Sequence, residues 1–348
     1  MSLTNFVFGT RHALCASALV LLSISTRSSG ASDTDLVVLA SGNRMTGQVT
    51  ELSRGELAFS VDGAGTIDID WNNVVSLRSA QLLDIELASG ELMTGSIESF
   101  APGLLEIETD TARKNIRMTD IIRMQPHAAT FRARTSGDID LGFDFLTAHD
   151  EIDWTLNASV EHRTKKYLSE LSISSLIRRH DDETTQQRNH LEFESRRLLQ
   201  ERWFAVGLLE AEEDAELDLD LRVLVGAAMG RTVVQSNRTA LAMYAGVDLS
   251  HEEYAGVSDY DDQVAELLAA VQWEWFEVGG DVDAVIEATA YISPEDGRRR
   301  LQLESSLRRS LVRDYYWSLN LYESYNSDPP PGLEKSDLGI SFTIGRSF

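Results

Sequence analysis

The sequence ends on Leu338-Gly-Ile-Ser-Phe-Thr-Ile-Gly-Arg-Ser-Phe348, and this stretch decides the predicted fold. Its even positions 338, 340, 342, 344 and 348 are apolar, whereas its odd positions are mostly small or polar. Because successive side chains of a strand point to opposite faces, one face could meet lipid and the other an aqueous lumen. Bacterial outer-membrane β-barrels end in this way, on an aromatic carboxyl terminus. The closing strand of a soluble sandwich is the alternative.

The first 31 residues have the layout of a secretory signal peptide. Arg11 and His12 precede an apolar run over 13–22, and small residues follow up to Gly30 and Ala31, where we expect cleavage. The run is shorter than the roughly 20 residues of a membrane-spanning helix. Cys15, the single cysteine, lies inside it, so lipoprotein processing is not expected and the mature chain has no thiol.

The composition argues against nucleic-acid binding. The net charge is -25, and removing residues 1–31 takes away two arginines and no acid, which makes it -27. Nucleic-acid phosphates require Lys and Arg, so we expect no nucleic-acid partner. No segment after the leader approaches 18 consecutive apolar residues. An exported chain of this kind can therefore span a membrane only as a barrel.

Residues 32–126 contain an internal repeat. The stretch from Asp35 to Val49 recurs 48 residues later from Leu83 to Ile97, with Leu-Ala-Ser-Gly and Met-Thr-Gly in both copies. Each copy predicts five short strands, so we expect two small SH3-like or Sm-like β repeats, at 32–79 and 80–126. Trp71 is expected in the core. A ligand groove at the paired glycine turns is the alternative, although glycine there normally serves backbone conformation.

The pattern changes from about residue 127, where long strands begin. Alternation predicts twelve strands, an even number, most of them long enough to cross a bilayer at a tilt. They are placed at about 131–145, 151–162, 167–179, 187–198, 202–212, 217–231, 238–251, 264–276, 280–292, 298–311, 314–325 and 336–348. We therefore predict an all-β chain in which a 12-stranded antiparallel outer-membrane β-barrel occupies 127–348.

The connections and the aromatic residues predict an orientation. With both ends in the periplasm, the periplasmic turns are mostly short and the outer loops are longer and acidic. An interfacial girdle is expected beside the periplasmic turns. Its candidates are Trp203, Trp273, Trp275, Phe276, Tyr315, Tyr316, Trp317 and Phe348, with Phe143 and Trp154 at the other rim.

The runs Arg196–Phe204 and Leu219–Arg231, the opening Asp138–Gly142 and the Phe348 ending resemble the salt-induced outer-membrane protein family, a domain of unknown function (DUF481). The resemblance covers roughly residues 115–348. It implies an outer-membrane barrel of a Gram-negative bacterium, and it transfers no catalytic residue.

Charged residues on the polar faces of the strands are predicted to line the lumen. The candidates are Asp138, Asp140, Asp153, Glu170, Glu192, Glu194, Asp218, Asp220, Glu266, Asp281, Asp283 and Glu304, with Arg178, Arg196, Arg222 and Arg308 as the main bases. An acidic lining favours cations, so one hypothesis is a cation-preferring or solute pore. The other is an electrically closed structural or adhesion barrel, with its charges paired and its repeats docking a periplasmic partner.

Chemistry beyond permeation has little support in the sequence. Histidines 149, 180 and 251 sit near acids at the outer rim, but no catalytic spacing accompanies them, so no catalytic residue, metal or cofactor is assigned. The acidic loops at 181–183 and 259–262 lack a calcium-loop pattern. The expected partners are outer-membrane lipid and the barrel-assembly machinery, which Phe342 and Phe348 would address.

Overall fold

The computed structural model describes residues 34–61, 63–127, 130–146, 151–180, 183–215, 217–254, 262–277, 282–311, 314–329 and 334–347. All of them belong to one compact unit, Asp33–Phe348. The predicted signal peptide and Phe348 lie outside the described residues.

The first nine strands form one antiparallel sheet, the double-repeat domain. The strands are β1 (Asp35–Leu39), β2 (Arg44–Ser53), β3 (Glu56–Val61), β4 (Gly65–Asp70), β5 (Val74–Leu87), β6 (Leu92–Ala101), β7 (Leu104–Glu108), β8 (Arg113–Arg117) and β9 (Ile121–Pro126). Short 3₁₀ turns at Trp71–Asn73 and Met118–Asp120 hold equivalent places in the two repeats.

The two repeats share one long strand and one core. β5 pairs with β1 through its first half and with β6 and β9 mainly through its second half, so the boundary predicted at 79/80 falls inside β5. A single buried cluster runs through both repeats, from Val37 to Met124. Trp71 is 3% exposed, and its indole N–H donates to the carbonyl of Met118 at 2.8 Å, a residue of the other repeat's 3₁₀ turn. This shared core makes the repeats one folding unit.

The remaining twelve strands close into an antiparallel barrel in sequence order. They are β10 (Thr135–Leu146), β11 (Glu151–Arg163), β12 (Tyr167–His180), β13 (Glu183–Leu198), β14 (Trp203–Asp214), β15 (Leu219–Gln235), β16 (Thr239–Tyr254), β17 (Asp262–Phe276), β18 (Val282–Ile292), β19 (Arg299–Ser310), β20 (Tyr315–Asn326) and β21 (Ser336–Ser347). β21 closes the ring against β10, with Asp138 opposite Ser347 and Leu141 opposite Ile344. The predicted all-β fold and the count of twelve strands are confirmed.

Several strand starts differ from the prediction, and β13, for example, begins at Glu183 instead of 187. The chain expected to begin the first barrel strand at 131 instead forms a 3₁₀ turn over Arg132–Arg134, and β10 begins at Thr135. β15 begins at Leu219, because Asp218 adopts a left-handed backbone (φ 48°) in the preceding turn. Among the described residues, no helix is long and apolar enough to cross a membrane.

Candidate functional site

The barrel has an apolar outer face and a polar inner face, and its last strand displays both. Leu338, Ile340, Phe342 and Ile344 point outward, each with more than half of its surface exposed. The odd positions face inward, where a Cβ on Gly345 would overlap the Asp140 carboxylate and lie 2.5 Å from the Tyr316 ring. The small residues of the terminal alternation thus leave room for larger side chains of neighbouring strands.

About half of the barrel interior is an open cavity of about 550 Å³. Its walls come from β10–β13 on one side and β18–β21 on the other, and they carry many hydroxyl and amide groups. Charged lining residues are Asp138, Asp140, Arg188, His190, Glu192, Glu287, Glu304 and Asp337. This part of the interior is lined mainly by polar and acidic side chains.

The other half of the interior is packed. Phe204, Leu224, Tyr244, Leu268 and Tyr291 project inward from β14–β18 and form a buried cluster. The phenol of Tyr244 donates to Glu287 at 2.6 Å, which ties this cluster to the open cavity. The cluster narrows the β14–β18 side of the interior, and its Phe204 also borders a further cavity at the short-turn end.

A buried ionic network fills the packed half toward the long-loop end. Arg222 donates to Glu212 at 2.7 Å and to Glu252 at 3.0 Å, and Arg298 donates to Glu252 at 2.8 Å. Arg300 binds the carboxylate of Glu266. Glu252 is fully buried and Glu212 is 3% exposed, so their charges depend on these guanidiniums. Removing one partner leaves an uncompensated buried charge, and the network therefore fixes this side of the barrel.

Sequence reasoning missed most of this network, because it placed Glu212 and Glu252 at strand ends or in outer loops. The signal was present: the even-numbered inward positions of β14 and β16 continue to Asp214 and Tyr254, beyond the predicted strand ends. Glu212 is already the last residue of the predicted strand 202–212, and one further residue on 238–251 would have included Glu252.

The structure brings most of the predicted lumen residues to the inner face. Those with described side chains there are Asp138, Asp140, Glu170, Glu192, Glu194, Arg196, Arg222, Glu266, Asp283, Glu304 and Arg308. Asp281 and the side chains of Asp153 and Arg178 lie outside the described part of the chain.

Asp218 and Asp220 are a correction to the predicted lining. Asp218 is exposed in the turn, and the pairing register shifts between Leu219 and Leu221. This β-bulge turns Leu219 inward, where it is 2% exposed, and leaves Asp220 exposed and out of the alternation. An extra residue in one strand shifts every later side chain relative to a simple even–odd count.

The predicted aromatic girdle also divides between the two faces. Trp203, Trp273, Trp275 and Tyr315 are each more than a third exposed and point outward beside the short turns. Phe276 and Tyr316 are instead inward and buried, at 7% and 2% exposure. Inward residues alternate with outward ones, so adjacent aromatics such as Tyr315 and Tyr316 cannot share a face. Trp154, at the other end of the barrel, is 54% exposed.

The double-repeat domain lies across the short-turn end of the barrel. Arg163, at the end of β11, pairs with Glu86 of β5, which also accepts from Gln235 at 3.0 Å. Lys165 donates to Thr94 at 2.9 Å, and the Asn237 amide donates to the carbonyl of Ile121 at 3.1 Å. Arg163 and Glu86 are 13% and 12% exposed, so this contact is largely buried.

The pKa values of two charged residues of the domain are shifted by burial and by charged groups of the barrel. Burial, and then the carboxylate of Asp314, raises the pKa of Asp68 on β4. Burial, and then the guanidinium of Arg163, lowers the pKa of Arg123 on β9, although Arg123 remains 2.7 Å from Glu51. Like charges thus face each other across this junction at two places.

A second cavity, of about 530 Å³, lies between the domain and the barrel mouth. The domain contributes charged residues such as Glu51, Arg54 and Arg123, and the barrel contributes Glu170 and Glu274 among others. Asp138, Ser159 and Val285 line both cavities, so the open half of the lumen leads to the space beneath the domain.

The described residues include no arrangement of side chains that is typical of a catalytic or metal-binding site. His190 lies 3.5 Å from Glu210 inside the barrel, and His251 lies 3.4 Å from Glu253 on the outer face. Among the side chains that the structure describes, no three histidine, cysteine or acidic residues are arranged to hold a metal ion. His149 and the acidic loops at 181–183 and 259–261 fall outside that part.

Comparison with known families identifies the barrel. The sequence model of the family described as "Protein of unknown function, DUF481" matches residues 139–348, more than half of the chain. The chain belongs to the DUF481 family. The match covers the barrel and leaves the double-repeat domain outside it. Comparison with curated proteins gives no match.

Solved structures with similar folds include several outer-membrane barrels. A NanC porin shares 12% identity over 61% of this chain and 98% of its own, with a TM-score of 0.39. A bacterial polysaccharide outer membrane secretin shares 10% identity over 62% and 97%, with a TM-score of 0.35. An anion-selective porin from Comamonas acidovorans shares 8% identity over 62% and 98%, with a TM-score of 0.31.

Proposed function

We propose that this DUF481 protein is an exported outer-membrane barrel whose open half-lumen is a pathway that favours cations. The observation that carries the proposal is a pair of contiguous cavities, one inside the barrel and one at its short-turn mouth, lined together by more carboxylates than bases. An acidic ring attracts cations and repels anions at close range.

The charge balance inside the cavities supports cations over anions. Asp138 is compensated by Arg308 at 2.9 Å, and Glu194 by Arg196. Glu192 and Glu304 also line the cavity inside the barrel, where neither forms a hydrogen bond or a close ion pair with a described side chain, although His190 in the same lining attracts both electrostatically. Carboxylates without a fixed partner are the ones available to a passing cation.

The outer surface supports the membrane setting. A closed barrel satisfies its backbone internally, as lipid requires, and its outward face carries large apolar side chains on nearly every strand. The outward Trp203, Trp273 and Trp275 lie beside the short turns, where interfacial aromatics belong. With the secretory leader expected at 1–31, these features support an outer-membrane location with the short turns in the periplasm.

A second candidate is a closed structural barrel, because the domain covers one mouth and the ionic network rigidifies half of the interior. Its partner would then be a periplasmic component docked on the double-repeat domain.

Single-channel recording in planar lipid bilayers separates the two candidates. We expect cation-selective conductance from the full chain. The double variant Glu192→Gln with Glu304→Gln should lower the cation-to-anion permeability ratio about fivefold, since a unit charge at 4 Å contributes about 1 kcal/mol even in bulk water. The matched control is Glu253→Gln, because Glu253 points outward and is 58% exposed. A folded, heat-modifiable barrel that carries no current would overturn the pore and favour the structural role.

A further inference from the structure

The turn between β2 and β3 places a positively charged side chain, that of Arg54, at the barrel mouth. Ser53, Arg54, Gly55 and Glu56 form this turn, in which Arg54 and Gly55 both have left-handed backbones, at φ 52° and 77°. The equivalent position of the second repeat is Pro102, followed by Gly103 with φ 77°. The turn itself therefore does not require an arginine, and the charge of Arg54 needs another explanation.

Arg54 faces an acidic and aromatic pocket of the barrel. Its guanidinium lies 4.0 Å from the Asp283 carboxylate and 6.0 Å from the centre of the Phe276 ring. Burial disfavours its charge, but the carboxylates of Glu274, Asp283, Glu161 and Asp138 together raise the pKa of Arg54. Carboxylates beside an aromatic face are the groups that bind a planar cation.

Arg54 is held more loosely than the other arginines around this mouth. Arg123 and Arg308 approach their carboxylates to 2.7 and 2.9 Å, and Arg163 pairs closely with Glu86. Among the described residues, Arg54 has only the 4.0 Å ion pair with Asp283. Its side chain is 53% exposed and borders the cavity between the domain and the barrel mouth. Glu274 lines the same cavity without an ion-pair partner in the described part of the chain.

We propose that Asp283, Glu274 and Phe276 form a guanidinium-binding site at the short-turn mouth, which Arg54 fills from the double-repeat domain as a tethered blocking cation. The site takes small planar organic cations when Arg54 is absent or displaced. This inference rests on the proposed cation pathway for its effect on current, but not for the binding itself. A fixed positive charge at the mouth repels entering cations, so Arg54 limits the pathway while the domain is docked.

The test uses the full chain with Arg54→Asn, because asparagine tolerates the left-handed backbone better than most residues. Arg113→Asn is the matched control, since Arg113 pairs with Glu106 and Glu108 of its own domain. Arg54→Lys keeps the charge without the planar group. The probe is agmatine, a guanidinium-bearing dication, added from the short-turn side in bilayers and titrated calorimetrically against the purified protein.

We expect Arg54→Asn to raise cation conductance about fivefold and to bind agmatine, which then blocks the current, while the wild type and Arg113→Asn bind it at least tenfold more weakly. Arg54→Lys should show intermediate block. If every variant is electrically silent but only Arg54→Asn binds agmatine, the guanidinium-binding site is supported and the cation pathway is overturned. If the wild type conducts cations but Arg54→Asn neither binds agmatine nor changes the current, the site is overturned and the pore stands.

Discussion

At the scale of single residues, the inner face of the barrel is decided by how much space each position leaves. Gly246 on β16 lies against the backbone of β15, where an added Cβ would overlap the carbonyl oxygen of Ala227 and lie 2.6 Å from Cα of Ala228. Gly226 on β15 also faces inward, but its Cβ would be 3.4 Å from the nearest atom, the Cβ of Asp248. Two glycines on neighbouring strands therefore differ in what they tolerate.

Gly246→Ala is expected to destabilise the barrel by about 1–3 kcal/mol, because backbone atoms cannot move aside as a flexible side chain would. Gly226→Ala, at ordinary contact distance, should change the free energy of unfolding by less than about 1 kcal/mol. Reversible unfolding in guanidinium from lipid vesicles measures both. Equal effects of the two substitutions would contradict the packing around Gly246.

At the scale of the element, β21 joins the ends of the barrel and carries the proposed assembly signal. It pairs with β20 along eleven residue pairs, from Tyr315–Arg346 to Tyr325–Ser336, and with β10 along four. Its outward Phe342 stacks on Trp317, with ring centroids 5.8 Å apart. The closing strand is thus paired far more extensively with β20 than with β10.

Deleting Phe348 is expected to impair insertion in cells at least several-fold, because we propose that the aromatic terminus is read by the barrel-assembly machinery. Phe342→Ser should impair it less, since it removes one outward apolar side chain and leaves the terminus intact. The yield of heat-modifiable barrel in isolated outer membranes is the readout. Phe131→Ala, outside the barrel strands and 73% exposed, is the control. Normal insertion of the truncated chain would count against an assembly role.

The strands could be predicted from the sequence because alternation is a local property with period two. The same signal placed Asp140, Glu192 and Glu304 on the inner face. It failed at Asp218 and Asp220, where a bulge adds one residue, and such a bulge has no mark in an even–odd pattern. It also could not show that half of the interior is packed, because the contact between Phe204 and Tyr244 across Gly230 depends on the pairing register of β14, β15 and β16.

At the scale of the whole molecule, the double-repeat domain and the barrel are held by contacts between residues far apart in sequence. Glu86 and Arg163 are 77 positions apart, and Glu86 and Gln235 are 149 apart. Such pairs leave no local pattern in the sequence. The repeats could therefore be predicted, but the docking of their domain on the barrel could not. Arg134, just before β10, also contacts the end of the domain: it donates to the carbonyl of His127 at 2.6 Å and lies 3.8 Å from Asp84.

Reversing the charge at Glu86 should therefore loosen the domain and expose the segment around Arg134. Breaking a largely buried ion pair costs about 3–5 kcal/mol. Where local opening precedes cleavage, Glu86→Arg should speed trypsin cleavage after Arg132 or Arg134 by at least roughly 100-fold. The double variant Glu86→Arg with Arg163→Glu restores opposite charges and should recover most of the protection. Glu98→Arg disrupts an exposed pair with Arg78 inside the domain and serves as the control. Equal protection in all variants would mean that this pair does not hold the domain over the mouth, and the blocking role of Arg54 would then need another anchor.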